Sequence, residues 1–583
     1  MYIINGLSLI ILLFTTQAWG DASLILNGSV SFDAGDYGAS PNQTFVSSPV
    51  VAPLFSVSTW DRNATDDAPY IMITGQYGSG FGPLIFRSDD LSLVYANTTW
   101  IESLNLDVQT YDGNDYLTYW EGLNVENNYV GYVGLYDSEY NLKYNITSEG
   151  LHVLADAHDI VITPNGTALL DIYDQVSPRD TTLVGGRVDD ELMDAVFQER
   201  DIDTGNVIFT WRLSDYYSLN ETMVSYEDYG MRPGGGGFDF GHINAVSKTA
   251  DGNYLASFRH LCAVLFINGS DGNIIWNLGG RRNNFTDLSD GRATDFCYQH
   301  DARFANEART EVTLFDNAHM STDANRTDDR DCSRGLHLEL DYGNMTARVL
   351  HEYYHPDRIV AAAMGGLQTL GNGNKLIAWG FQPTITEHTA QGDVVLDVQL
   401  GPFNQVGTAP QVYRAKKVNW TGSPTWGPSI AGTPQGTGRG VYMSWNGATE
   451  FTEWAVLADN STDNLSSWDR VVQRAARAGF ETFVGLETSP RYVRAAALDA
   501  DGHVLGSTDA VDMNTGDTVQ VNGSVTQTTQ PSSTTTQPSS TTTTTGGGSP
   551  EPTESEGVAR GKRSAGVGMM VTGLGFAVCF NGL

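Results

Sequence analysis

Positive charge is scarce in this chain. Its 583 residues carry 33 Lys and Arg against 69 Asp and Glu, a formal net charge of −36, which repels phosphate backbones and anionic headgroups. Nucleic acid is thereby excluded as a partner class, and the acidity reads as a solubility feature. Long amphipathic helices are missing too, and the one helical-looking stretch, Asp469 to Ala478, is short. No nucleotide-phosphate loop is present. Of only four cysteines, Cys579 lies in a C-terminal tail expected to be removed. The remaining Cys262, Cys297 and Cys332 cannot all pair among themselves. We expect a Cys297–Cys332 bridge flanking one repeat unit, with Cys262 buried as a small apolar side chain.

Both ends read as targeting signals. Gly6 to Thr16 is apolar and Ala18-Trp19-Gly20 supplies small residues for cleavage, so residues 1–20 form a signal peptide and the mature chain starts at Asp21. A Ser/Thr tract from Ser524 to Thr545 leads through a polar spacer, 546–564, into the Gly-rich apolar tail from Ala565 to Phe580. That order matches a glycosylphosphatidylinositol (GPI) anchor signal over 556–583, preceded by a stalk over 511–555. The tail is too short and Gly-rich for a comfortable membrane span. Fifteen Asn-x-Ser/Thr sequons, from Asn27 to Asn522, agree with secretion and N-glycosylation. The Ser/Thr/Pro stalk is expected to carry O-linked glycans. The localisation expected is extracellular, at the cell surface.

The body reads as all-β: short apolar or alternating runs separated by turns of Gly, Asn and Asp. A repeat emerges on comparing segments. Residues 165–170 (NGTALL), 252–257 (GNYLAS) and 373–378 (GNKLIA) give its first element; 203–211 (DTGNVIFTW), 271–279 (DGNIIWNLG) and 391–399 (QGDVVLDVQ) give its second. Hairpins repeated in this way predict a β-propeller over 21–410, with an array of β-sandwiches as the alternative. From 411 to 510 the runs around VYMSWN, EWAVLA, ETFVGL and VRAAALDADGHVLG predict a small immunoglobulin- or fibronectin-like β-sandwich.

The histidines fall on this repeat. His158 begins HDIVITPNG, His242 begins HINAVSKTADG and His300 begins HDARFANEA, so each opens a strand at one register. In a propeller such residues converge on one mouth of the central channel. Arg259, in SFRH, ends the strand after His242 and returns to the same mouth. Three imidazoles can hold Zn²⁺. No close ligand pair such as HxH or HExxH accompanies them, however, and an adjacent Arg repels a cation, so anion chemistry fits better and neither metal nor cofactor is expected. His260 points to the other face if its strand alternates, and reads as structural. His319, His337, His351, His355, His388 and His503 show no such register. Asn317, in LFDN, is either a turn residue or a supporting donor.

The strings HINAVSKTADGNYLASFRH, IIWNLGGRRNNF, QHDARF and LFDN, in this order between His242 and Asn317, resemble the core of the arylsulfotransferase family in its secreted fungal branch. The likeness extends to TFVSSPVVAPLF and YMSWNGATEFTEWAVLA, covering residues 44–507. It implies a six-bladed propeller that moves a sulfuryl group from a phenolic sulfate ester to a phenolic acceptor without a nucleotide sulfate donor. It also implies that His300 is the sulfated histidine, with His242, Arg259 and His158 around it.

The residue chemistry agrees. A neutral imidazole is nucleophilic near neutral pH and leaves well once sulfonated, which suits His300. Arg259 and His242 suit stabilisation of the sulfuryl oxygens. His158 suits proton exchange with the phenols, although His242 can exchange roles with it. A propeller that binds cell-wall glycans or mediates adhesion without turnover is the alternative function.

Overall fold

The computed structural model describes residues 21, 25–26, 30–77, 80–97, 102–125, 128–229, 237–318, 332–403, 410–433 and 439–526. The expected signal peptide, most of the stalk and the anchor signal lie outside these residues. All of them fall within one compact unit, Met1–Gln527, and the chain is all-β. Among the described residues no helix is long and apolar enough to cross a membrane.

Among the described residues six mainly antiparallel sheets follow one another. The second runs Glu102–Tyr111, Asn114–Val125, Asn128–Tyr136, Leu142–Ile146, and the third Ile160–Ile162, Thr167–Arg179, Asp190–Asp201, Val207–Arg212. The fourth runs Ile243–Lys248, Tyr254–Phe258, Ala263–Ile267, Ile274–Gly279, and the fifth His300–Phe304, Glu311–Asp316, Arg334–Asp341, Thr346–Tyr354. The repeat visible in the sequence is thus the second and fourth strands of sheets three, four and six. Its turn glycines adopt the left-handed backbone such hairpins require, with φ of 76° at Gly166 and 89° at Gly252.

The first and sixth sheets are made from both ends of the chain. Arg414–Val418, just past the boundary expected at 410, pairs with Tyr70–Tyr77 and so joins Gly80–Arg87 and Leu93–Ala96 in sheet one. Ser56–Trp60 pairs with Val394–Gln399, completing the sheet that begins Gly366–Thr369, Lys375–Ala378, Thr384–His388. The first strands of the six sheets touch their neighbours in a closed cycle.

Apolar side chains fill the gaps between sheets. Trp211, Phe197, Tyr254 and Phe258 pack sheet three on sheet four, and Trp211 Nε1 donates to Gly272 O at 2.9 Å. Each such aromatic removes on the order of 150–250 Å² from water, which dominates the stability of a sheet that cannot cover itself.

A buried ionic network links the first strands. Asp159, just before Ile160, accepts from Val246 N at 2.8 Å, Arg303 Nη2 at 2.7 Å and Arg414 Nη1 at 2.7 Å. Asp301 accepts from Arg303 Nε and Leu367 N, both at 3.1 Å. Five of the six sheets meet through these two carboxylates and two guanidiniums. Burial alone would raise the Asp159 carboxyl, but Arg303 and Arg414 hold it below the ordinary carboxylate range.

Beyond residue 418 lie a three-stranded sheet, Ser429–Gly432, Gly440–Ser444, Glu481–Gly485, and a five-stranded one that includes Glu453–Asp459, Tyr492–Leu498 and Val504–Asp512. Both contribute to one apolar cluster, with Val441 and Met443 from the first and Trp454 and Val493 from the second. The stretch expected to be helical corrects to a 3₁₀ turn, Trp468–Arg470, and a strand, Val471–Ala476, paired with Glu453–Asp459. Edge pairing overrides local helix propensity there.

The disulfide also differs from expectation. Cys262 pairs with Cys297, and Cys332 takes no part in that bond. Cys262 follows the 3₁₀ turn Arg259–Leu261 in a left-handed conformation, φ 49°, which turns it toward the segment leading into sheet five. The bridge therefore ties sheet four to sheet five instead of closing within sheet five.

Candidate functional site

Each histidine is held by a local device. Asp156 Oδ1 accepts from the His158 backbone N–H at 3.0 Å and also bonds its ring Nδ1, an Asx turn that fixes the ring before its strand begins. The preceding carbonyl, Ala155 O, accepts from Trp120 Nε1 at 2.9 Å. His242 has φ 55°, an uncommon backbone state for a residue with a Cβ. It is held there because its carbonyl accepts from Arg259 N at 2.8 Å and Gly241 O accepts from His260 N at 3.0 Å. Its Nδ1 bonds Asp239 Oδ2 at 2.6 Å. The rings of His158 and His242 meet edge to face, centroids 4.8 Å apart.

His300 opens sheet five and is 1% exposed. Its Nδ1 bonds Asn317 Oδ1 at 2.7 Å. The residue before it, Gln299, donates Nε2 to Ser257 Oγ at 3.0 Å and Ala263 O at 3.0 Å, and its carbonyl accepts from Asn244 Nδ2 at 2.7 Å. These polar residues, which the sequence reading left without roles, bolt the His300 strand to sheet four. Their signal was their place inside the His-x-Asn, Ser-x-Arg-His and Gln-His strings.

Arg259 does not end a strand; it begins the 3₁₀ turn after Phe258. Its guanidinium lies over the Tyr298 ring at 4.0 Å, and Nη1 bonds His260 Nε2 at 2.6 Å. Its Nε, although buried, has no acceptor among the described residues. An unmatched, buried guanidinium donor is what an anionic oxygen would satisfy.

His260 corrects the expectation that it faces away. Strand alternation ends at Phe258, and the 3₁₀ turn swings the imidazole to within 4.6 Å of the His242 ring, with Nδ1 2.7 Å from Asp239 O. Since Asp239 O can only accept and Arg259 can only donate, His260 carries its proton on Nδ1 and is neutral. Burial pushes it well below the ordinary histidine value. Burial likewise lowers His300, helped by the charges of Arg259 and Arg414 and by His158.

The structure therefore brings His158, His242 and Arg259 together, adds His260, and puts His300 within electrostatic reach of Arg259 and His158. Tyr173 lies 5.3 Å from both the His158 and His242 rings. Tyr413 donates its hydroxyl to His158 O at 2.7 Å.

Among the described residues, Asp239, His242 and His260 form one of two groups close enough to share a metal ion. The donor set does not fit one. The His260 nitrogens are engaged by Asp239 O and by the Arg259 cation, which would oppose a second positive charge. A true HExxH string does occur at His351-Glu352-Tyr353-Tyr354-His355, contrary to the expected lack of such pairs. It lies on the strand Thr346–Tyr354, where the spacing that puts two histidines on one helix face has no such effect. His351 stacks on Tyr353 while His355 approaches Asp397.

A family model described as "Arylsulfotransferase (ASST)" matches residues 107–401, about half of the chain. His158, His242, Arg259 and His300 all lie inside that match. No curated protein matches. Solved structures similar to this chain include a protein of unknown function from Bacteroides caccae, 14% identical, covering 60% of this chain and 98% of its own, with a TM-score of 0.34. A dihydro-heme d1 dehydrogenase is 13% identical over 79% of this chain and 74% of its own, with a TM-score of 0.26. Likenesses this slight bear on neither fold nor chemistry.

Proposed function

Because the chain belongs to the arylsulfotransferase family, we propose that it moves a sulfuryl group from a phenolic sulfate ester to a phenolic acceptor through a sulfohistidine on His300. The observation that carries this is a buried imidazole, its pKa held down by burial, within electrostatic reach of a guanidinium whose Nε has no acceptor among the described residues, His300 and Arg259. In the first step the free ring nitrogen of His300 attacks sulfur, the sulfur–oxygen ester bond breaks, and the electron pair leaves on the phenolate. Arg259 meets the charge on the sulfuryl oxygens. His158 or His242 protonates the phenolate and becomes neutral, and its Nδ1-bound carboxylate stabilises the imidazolium before that transfer and again once the acceptor has given up its proton. In the second step the acceptor phenol gives its proton to that histidine and attacks sulfur, and the nitrogen–sulfur bond breaks.

The same reading takes the six sheets as blades of a propeller. The closed cycle of first strands and the two sheets shared between chain ends support it. The two C-terminal sheets are then a β-sandwich, a reading supported by their common apolar cluster. The site then lies at the mouth of the channel, where His300 opens its strand and His242 and His158 stand just before theirs. We also propose secretion, glycosylation and a GPI anchor, supported by the signals at either end. Treating intact cells with a phosphatidylinositol-specific phospholipase should release the protein, and retention beside a released control would refute the anchor.

The deciding assay incubates purified protein with a chromogenic aryl sulfate, with and without a phenol. Phenol-dependent turnover is expected, and without acceptor about one equivalent of phenol per site should be released in a burst that leaves sulfonated His300. His300→Ala should lose burst and label. A folded His300→Ala enzyme that turns over normally would reject His300 as nucleophile, and no release across a broad donor panel would reject sulfotransfer.

A further inference from the structure

The three histidines differ in what stands behind Nδ1. His158 is backed by the Asp156 carboxylate and His242 by that of Asp239, whereas His300 is backed by the amide of Asn317. Resting on the sulfotransfer reading, we propose that Asn317 is a positioning residue: it fixes His300 as the Nδ1–H tautomer and, as an amide where the others have carboxylates, keeps it the neutral nucleophile of the set.

The orientation of the amide follows from its other bonds. Asn317 Nδ2 donates to Ala361 O at 2.8 Å and to Met364 O at 2.9 Å. Rotating the amide by half a turn would set its oxygen against two carbonyl oxygens, so Oδ1 faces the ring. That oxygen can only accept. The hydrogen of the neutral imidazole must then sit on Nδ1, and the lone pair is left on Nε2.

The amide also decides charge. A carboxylate behind an imidazole stabilises the imidazolium, as a proton-carrying histidine needs. An amide oxygen accepting the same hydrogen bond also raises the ring, but it carries no net charge and so stabilises the imidazolium less, and burial outweighs it at His300. The charged and titratable groups facing His300 are Arg259 from the turn after sheet four's second strand, His158 from the start of sheet three, and Arg414 from sheet one. All three oppose protonation. The nearby Asp159 and Asp301 carboxylates are both bound to Arg303 and Arg414.

The intermediate follows the same logic. When Nε2 forms its bond to sulfur, Nδ1 keeps its hydrogen and the ring becomes a sulfoimidazolium whose positive charge balances the sulfonate. An amide behind it stabilises that ring less than a carboxylate would, so the sulfuryl group stays transferable. Asn317 thus keeps the ring neutral with its lone pair on Nε2 for the attack, and the weaker stabilisation of the charged intermediate favours the release.

Asn317→Asp tests this with a change of nearly equal size that also sets one carboxylate oxygen against Ala361 O and Met364 O, so its melting temperature is measured alongside. A carboxylate would hold His300 protonated up to higher pH, so the acid limb of kcat/KM should move up by about one pH unit or more, and decay of sulfohistidine should slow ~10-fold. A purely structural Asn317 predicts equal loss at every pH with a lower melting temperature and an unmoved limb, and that result would overturn the proposal. A measurement on the unaltered protein does not depend on the variant's folding: NMR of ¹⁵N-labelled histidine should find His300 neutral, with its hydrogen on Nδ1, at pH 6. A hydrogen on Nε2 overturns the proposal even if the enzyme is active. If instead the Nδ1–H form is found in a protein that gives no burst with any aryl sulfate, the tautomer assignment stands while the transfer reading falls.

Discussion

Arg259 and His260 are neighbours in the chain and partners in the site, with Nη1 of the arginine 2.6 Å from Nε2 of the histidine. The histidine can accept only because its own hydrogen is spent on Asp239 O. His260→Leu keeps the bulk and removes the acceptor, leaving a buried guanidinium donor unmatched and free to swing. We expect kcat/KM to fall ~10–100-fold, the value of a hydrogen bond to a charged group. Arg259→Lys should fall at least as far, since a point charge replaces a planar fork. Steady-state kinetics on both variants check this, and an unchanged His260→Leu would mean that the pair does not position Arg259.

Arg414→Leu should be among the most destabilising single changes. It strips Asp159 and Asp301 of a shared cation and leaves buried carboxylates uncompensated. The loss should be about 3–5 kcal/mol, measured by urea unfolding monitored through tryptophan fluorescence. A change below about 1 kcal/mol would mean that Arg303 alone carries the network.

The Cys262–Cys297 bridge closes a loop across a separation of 35 residues. Chain-entropy arguments put its contribution at about 3–4 kcal/mol. Changing both cysteines to alanine should lower the melting temperature. It should also reduce activity more than Cys332→Ala does, because the bridge joins the turn carrying Arg259 to the segment entering His300. Equal activity in the two proteins would separate the bridge from the site.

His388 supplies a pH test away from the site. Gly392 O, 3.4 Å from His388 Nδ1, can only accept, so the ring hydrogen sits on Nδ1 and Nε2 accepts from Thr386 Oγ1 at 2.8 Å. Burial pushes this histidine down to about 4. The unfolded chain protonates near 6.5 and the native state does not, so stability is lost as pH falls from above 6.5 toward 4. Relative to His388→Gln, the unaltered protein should lose on the order of 2–3 kcal/mol over that range. Melting curves of both proteins at pH 7, 6, 5 and 4.5 check it, and parallel curves would contradict it.

The sheets were legible because their signal is local. Gly166 and Gly252 mark tight hairpins that only a left-handed residue turns easily, and the alternating runs beside them form the expected second strands. The approach of His158 to His242 was legible because residues that precede the first strands of neighbouring repeats end up together, and Arg259 joins them from the 3₁₀ turn after the next strand. What failed depended on contacts that no window contains. Val471–Ala476 is a strand only because Glu453–Asp459 offers it an edge. Cys262 finds Cys297 only because the 3₁₀ turn at Arg259 redirects it. His260 was misplaced for the same reason: one turn of 3₁₀ helix cancels the alternation on which its expected direction rested. Asn317 read as either a turn residue or a supporting donor, and what decides between them, its hold on the carbonyls of Ala361 and Met364, lies 44 and 47 residues further along.

The sharing of two sheets between chain ends sets the order in which the protein can be made. Sheet one lacks its first strand until residues 414–418 have been synthesised, and sheet six lacks its Ser56–Trp60 strand until the N-terminal segment has waited for residues 394–399. Arg414, the common counterion of Asp159 and Asp301, arrives with that last strand. A ribosome that stalls near residue 400 would release a chain holding every histidine of the site but neither the closing strand nor the cation that gathers the others. Activity should therefore appear abruptly with chain length, late in synthesis, as a property of the finished ring and of none of its sheets alone.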